Sequence, residues 1–149
     1  MLRIFRNGIC LVAAALSLPG CNPFGDALVA ACESVIKKRL RSPSTYVKIE
    51  VQSSEEKLGE IMVIAYLTEK NGYPKESRER QLLQFKQGKI KPTLYRVYLT
   101  SDAANVYGTP IRSVDECTYF SVKGDKSDAS EWAIKINGKS RTEWLLSKD

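Results

Sequence analysis

The sequence predicts an α+β domain in which an N-terminal helix packs on an antiparallel sheet of four to five strands. Two observations carry this. From Ala27 to Arg41 apolar residues recur at spacings of three and four, which puts them on one buried helical stripe. Beyond Pro43 the spacing changes to alternation, the pattern of strands with one face on a core. Neither an internal repeat nor a low-complexity segment interrupts the chain.

Asp26 stands as the N-cap of the helix, and Leu28, Ala31, Cys32, Val35, Ile36 and Leu40 form its stripe. Lys37, Lys38, Arg39 and Arg41 fall on the last turn, where the carbonyl end of the helix dipole favours cations; the competing role is a surface for phosphate or carboxylate groups. Ser42-Pro43 ends the helix. Val47, Ile49 and Val51 then alternate with Lys48 and Glu50 as a first strand. Ile61 to Thr68 is apolar on both faces and predicts a central strand covered on each side. A turn is expected at Asn71-Gly72. Ser77 to Gln87 reads as an amphipathic helix carrying Leu82, Leu83 and Phe85 and ending at Gly88, with half of a long hairpin as the alternative.

Leu94 to Thr100 alternates again, with Tyr95, Val97 and Leu99 on one face. Asp102, Asn105, Gly108 and Pro110 break the segment from Ser101 to Arg112. A strand from Cys117 to Val122, a polar loop from Lys123 to Ser130, and the alternating Trp132, Ile134 and Ile136 lead into an Asn137-Gly138 turn. Lys139 to Leu146 is expected to close the sheet as a paired strand.

Ahead of the domain, Arg3 and Arg6 precede an apolar run from Ile9 to Leu18, and Leu18-Pro19-Gly20-Cys21 follows. This resembles a bacterial lipoprotein signal with its lipobox, Pro19 being a departure from the usual small or hydroxyl residue. The resemblance implies a diacylglyceryl group on Cys21, cleavage before it and acylation of the new amino terminus. It divides the chain into a signal at 1–20, a lipidated tether at 21–25 and a single periplasmic domain at 26–149. The apolar run is about half the ~20 residues a spanning helix needs, so it is not a permanent transmembrane anchor. An ordinary secreted protein with Cys21 as a thiol is the alternative. Asn22, not the aspartate that retains such proteins at the inner membrane, favours an outer-membrane position facing the periplasm.

With Cys10 removed in the signal and Cys21 acylated, two of the four cysteines remain, Cys32 and Cys117. In an oxidising compartment that pair is expected to form a disulfide. Two thiolates in a chain without histidine make a poor zinc set, and no cofactor is implied. Losing Arg3 and Arg6 takes the 23 basic residues to 21 against 17 acidic ones, and the net charge from +6 to +4. That is too dilute for nucleic-acid binding but compatible with anionic lipid headgroups or acidic cell-wall polymers.

The absence of histidine excludes Ser-His-Asp and Cys-His catalysis. No G-x-S-x-G elbow occurs. Glu50, Glu60, Asp102, Glu116 and Glu131 are available for carboxylate chemistry on glycosidic bonds, but their spacing singles out no pair.

Two segments resemble a small exported domain of bacterial proteins with no established activity. One is Cys32-Glu33 together with Leu40-Arg41-Ser42-Pro43-Ser44-Thr45-Tyr46. The other is Asp102-Ala103-Ala104-Asn105-Val106-Tyr107-Gly108-Thr109-Pro110-Ile111-Arg112, with Cys117 five residues on. The resemblance implies the same disulfide and fold class. Arg112 either pairs with Asp102 or Asp115 or projects toward a ligand; with Lys37, Lys38, Arg41 and Tyr107 it is a candidate partner contact. Of the aromatics, alternation assigns most of Tyr95, Tyr98, Tyr107, Tyr119, Trp132 and Trp144 to the core, against a sugar-stacking platform.

The functional expectation is a non-catalytic, membrane-anchored envelope lipoprotein whose domain binds another envelope protein. A peptidoglycan- or polysaccharide-binding module is the alternative, and a carboxylate-dependent glycoside hydrolase the third reading.

Overall fold

Asp26 caps the first helix through its carboxylate, which accepts from Leu28 N at 3.0 Å, and α1 runs Ala27–Arg39. The computed structural model describes residues 26–69 and 74–147. The signal, Cys21, the tether and the expected Asn71-Gly72 turn lie outside them. After α1 come a 3-10 turn (Pro43–Thr45), β1 (Val47–Lys57), α2 (Glu60–Glu69) and α3 (Lys75–Lys86). β2 (Thr93–Ala104), β3 (Pro110–Ser121), β4 (Ile134–Ile136) and α4 (Arg141–Leu146) follow. The four strands form one sheet in the order β1-β2-β3-β4, each neighbour antiparallel. The architecture is α+β, with one helix pinned to the sheet by a disulfide.

α1 lies over β2, β3 and β4, and its buried stripe is Leu28, Cys32, Val35 and Ile36. The facing residues alternate along the strands: Tyr95, Val97 and Leu99 on β2, Cys117 and Tyr119 on β3, Ile134 and Ile136 on β4. Cross-strand pairing puts Val97 opposite Cys117 and Cys117 opposite Ile136, so one row crosses the sheet beneath Cys32. The Cys32–Cys117 disulfide joins that row to the helix, with the two Cα atoms 5.9 Å apart and 85 positions separating them in sequence.

Among the described residues the other sheet face is covered at one end. Leu94 and Phe120 meet Leu58, Val63, Leu67 and Phe85 there, and Tyr66 stacks on Phe120 with ring centroids 4.0 Å apart. Ile61 to Thr68 is therefore not the central strand that its apolar composition suggests. β2 is paired with β1 along one edge and β3 along the other, and β3 continues into β4, so no interior place remains. As a helix the segment sets Val63 and Leu67 four apart on one face, toward the sheet.

Three further expectations change. The first strand is longer than its alternating part, and all of β1 is exposed, because the buried stripe of α1 packs on β2, β3 and β4 while Glu33 meets β1 through an ion pair with Lys48. β2 and β3 extend through the segment read as broken, leaving only Asn105 to Thr109 between them. The tail forms α4 instead of a closing strand. Ser140 caps it in a capping box: Glu143 N donates to Ser140 Oγ, and Ser140 N to the Glu143 carboxylate. Only Lys139 bridges back to Ile136. The Asn137-Gly138 turn holds, with φ of 51° and 76°. The helix of Lys75–Lys86 also holds, and Gly88 follows it at φ 68°.

Replacing Cys32 and Cys117 together with alanine is expected to lower the unfolding free energy by about 4 kcal/mol, the loop-closure value for so long a bridge. Denaturant titration with and without reductant checks it: the wild type should fall to the variant's stability when reduced.

Candidate functional site

The two segments that carry the exported-domain resemblance meet at the C-terminal end of α1. Thr45 Oγ1 donates to Ser42 O at 2.8 Å, closing the 3-10 turn, and accepts from Ala104 N at 2.8 Å, tying that turn to the end of β2. Asn105 organises the hairpin tip: its Oδ1 accepts from Tyr107 N (2.8 Å) and Thr109 N (3.0 Å), and Gly108 N donates to Asn105 O (3.1 Å) at φ 80°. Glycine supplies that positive φ at no steric cost. The motif residues thus explain each other as a framework.

Beside the framework lies an open cleft of about 530 Å³ between the end of α1 and the β2–β3 tip. Leu40, Ala103, Ala104, Val106 and Ile111 make an apolar lining, and Arg39 and Arg41 stand at its edge. A second cleft of about 420 Å³ shares Arg39, Leu40 and Ser113 and runs on to Asp115, Lys139 and Trp144. Asp115 is held by Asn137 Nδ2 (2.8 Å) and Ser113 Oγ (3.2 Å).

Arg39 separates the clefts. Its Nη1 donates to Ile136 O and its Nη2 to Lys139 O, both at 3.0 Å, and the guanidinium lies 5.2 Å from the Trp144 ring centre. Burial lowers its pKa below the ordinary arginine value, while the charge of Asp115 opposes the shift. Its buried Nε has no hydrogen-bond partner among the described residues.

The sequence-derived candidates separate in space. Arg41 is exposed at the cleft and makes no ion pair among the described residues. Lys37 pairs with Glu33 at 2.9 Å and lies over the Tyr46 ring, while Lys38 pairs with Glu131, which also accepts from Ser34 and Arg141. Arg112 pairs with Asp102, not Asp115, through two bonds of 2.8 and 2.9 Å. Alternation along β3 puts Ile111 and Ser113 at the cleft and Arg112 on the opposite sheet face. Tyr107 is 88% exposed at the hairpin tip.

The aromatics do not make one platform. Tyr95 and Tyr119 are buried, Trp144 lies beneath Arg39, and the exposed Tyr98, Tyr107 and Trp132 sit on different elements. The five carboxylates are also dispersed. Glu60 pairs with Lys86, Asp102 with Arg112, Glu131 with Lys38, Glu116 accepts from Tyr98, and Glu50 from Gln52. None of the five lines the two clefts. Among the described residues no group of three or more histidine, cysteine or acidic side chains is placed to hold a metal ion. Nor is any helix there long and apolar enough to cross a membrane. Sequence reasoning missed the apolar lining, Ala103, Ala104, Val106 and Ile111; the signal was the spacing of Ala103 and Ile111 about a tight turn.

No protein family, curated protein or solved structure matches the chain. Its site is read from its own chemistry.

Two titrations follow from the charges around α1. For Glu33, burial works to raise the carboxyl but Lys37 and Lys48 override it; for Glu131 the bonds from Lys38 and Ser34 lower it directly. Both lie below the ordinary 4.5, so their contribution is complete above that value and is lost as pH falls through the lower folded values. Melting temperature should hold from about pH 7 to 5 and then fall, less steeply in Glu131→Gln.

Burial pushes the Tyr46 phenol up to about 12, with Glu33 and Asp115 adding to the shift, and its buried hydroxyl has no partner among the described residues. Unfolded tyrosine ionises near 10.0, so stability present below that pH is lost as pH rises toward 12. Tyr46→Phe should reduce this alkaline loss and, by removing an unsatisfied hydroxyl, raise stability at neutral pH by about 1 kcal/mol. Denaturant titration at neutral and alkaline pH measures both effects.

Proposed function

We propose that the chain is a membrane-anchored envelope lipoprotein whose domain binds another envelope protein, without catalysis, through the cleft between the end of α1 and the β2–β3 tip. The observation that carries this reading is the cleft itself: an apolar lining with Arg39 and Arg41, formed by residues 39–41 and by 103–106, 111 and 113, beside the bond that ties Thr45 to Ala104. An apolar centre with a charged rim is the usual anatomy of a protein interface, and arginine is enriched there.

Orientation supports it. Asp26, where the tether of residues 21–25 joins the domain, is at one end of α1 and the cleft at the other. Thirteen helical residues at ~1.5 Å each put them ~20 Å apart. A domain held by an acylated Cys21 has its tethered end nearest the lipid and the cleft at the far end of α1. The dispersed carboxylates and aromatics do not favour the hydrolase or glycan-platform readings.

The test is to cross-link cells expressing the full-length protein, purify it from membranes, and identify by mass spectrometry the state of Cys21 and the attached protein. One reproducible partner is expected with the wild type. Ile111→Arg fills the cleft from an exposed position, so it should abolish partner recovery with little change in melting temperature. Unchanged recovery from this variant rejects the cleft, and recovery of glycan fragments in place of a protein rejects the partner class.

A further inference from the structure

α2 is apolar at every position from Ile61 to Leu67, yet the sheet covers only part of that run. Val63 and Leu67 are buried against Leu94, whereas Ile61 (82% exposed), Met62 and Ile64 face solvent. On α3, Leu83 is exposed as well. A soluble helix normally turns a polar face outward; this one has an apolar stripe on each side.

The charge distribution sets the same region apart. Residues 57–92 carry eight Lys and Arg against four Asp and Glu. The segments on either side balance, five against five over 21–56 and eight against eight over 93–149, so the whole +4 beyond residue 20 lies on this hairpin and its flanks. Lys86 pairs with Glu60 and Lys75 with Glu79, while Arg78, Arg80, Lys89 and Lys91 make no ion pair among the described residues. Between the helices a cleft of about 190 Å³ has Ile64, Leu67 and Leu82 inside and Lys75, Arg78 and Glu79 around it.

Position completes the case. Asp26 pairs with Lys126, whose loop is tied to β2 by the Tyr95 hydroxyl donating to Gly124 O at 2.8 Å. The next residue, Leu94, projects to the opposite face and packs with Val63 and Leu67 of α2. The point where the tether leaves the domain and the α2–α3 hairpin therefore flank the same end of the sheet. Residues 21–25 span at most ~17 Å when extended, which keeps that end close to any bilayer holding Cys21.

Resting on the lipoprotein reading above, we propose that the α2–α3 hairpin lies on the surface of an anionic bilayer. Ile61, Met62 and Ile64 enter the boundary between headgroups and acyl chains, and the unpaired basic residues meet lipid phosphates. The anchor supplies residence at the membrane and the hairpin supplies orientation, turning the α1-end cleft outward.

The full-length protein reconstituted into vesicles of phosphatidylcholine with phosphatidylglycerol, or of phosphatidylcholine alone, tests this by amide hydrogen exchange. Exchange across residues 60–69 is expected to slow in the anionic vesicles, and the protection to be lost at ~1 M salt, where the screening length is ~3 Å. Ile61→Asp with Ile64→Asp should abolish the protection; Arg78→Glu with Arg80→Glu, which leaves the apolar stripe untouched, should do the same. Equal exchange in the two vesicle types overturns the proposal. So does protection that appears without vesicles and grows with protein concentration, since that marks a second copy on the helix. Intact mass of the same sample reports Cys21 separately. An unacylated Cys21 with a protected α2 rejects the tether and supports the surface contact; an acylated Cys21 with an unprotected α2 rejects the contact alone.

Discussion

The structure depends on one clamp, the disulfide between Cys32 in the middle of α1 and Cys117 in the middle of the sheet. A single thirteen-residue helix on a four-stranded meander is a small core, and both sulfurs lie at its fully buried centre. The bridge fixes the helix along its axis and against the strands at once. Leu28, Val35 and Ile36 then meet the alternating residues of β2, β3 and β4 in one register. Arg39 adds a polar lock one turn further on, bonding the carbonyls of Ile136 and Lys139 at the β4 turn.

From that clamp the asymmetry of the domain follows. α1 covers β2 to β4 and leaves β1 exposed, and among the described residues the opposite sheet face is covered where α2 and α3 meet Leu94 and Phe120. The remainder of that face carries charge in compensating pairs, with Arg96 beside Glu56 and Arg112 beside Asp102. Such exposed pairs contribute little to stability, but they place charge on the uncovered face, and Glu56 places one on the edge strand β1. The bulge between Lys48 and Glu50 works in the same direction.

The two ends of the molecule differ in chemistry. One end has an apolar cleft framed by bonds between distant segments, with Thr45 and Asn105 satisfying the backbone on either side. The other has an apolar helix stripe inside a segment, residues 57–92, with eight basic against four acidic residues. The first is the surface proposed for a protein partner and the second the surface proposed for lipid. A rigid, disulfide-pinned domain between them relates the two in a fixed geometry.

The sequence by itself determined what depends on a single element or on counting. The Asp26 cap and the stripe of α1, the helix ending near Gly88, the alternation of Tyr95, Val97 and Leu99, the Asn137-Gly138 turn and the Cys32–Cys117 pair were all legible. Each is a local period, a local turn or the outcome of elimination. The capping box at Ser140 and Glu143 was equally local and went unread, since the tail resembled a strand facing the turn. Only the tertiary structure decided the rest. An apolar run such as Ile61 to Thr68 is the same string in a buried strand and in a helix; the choice fell to which sheet edges were already occupied. The candidate site shows the same limit. Arg41 and Tyr107 were visible as exposed chemistry, but the cleft's lining is small and apolar and becomes a site only when segments about sixty residues apart meet across one bond to Thr45.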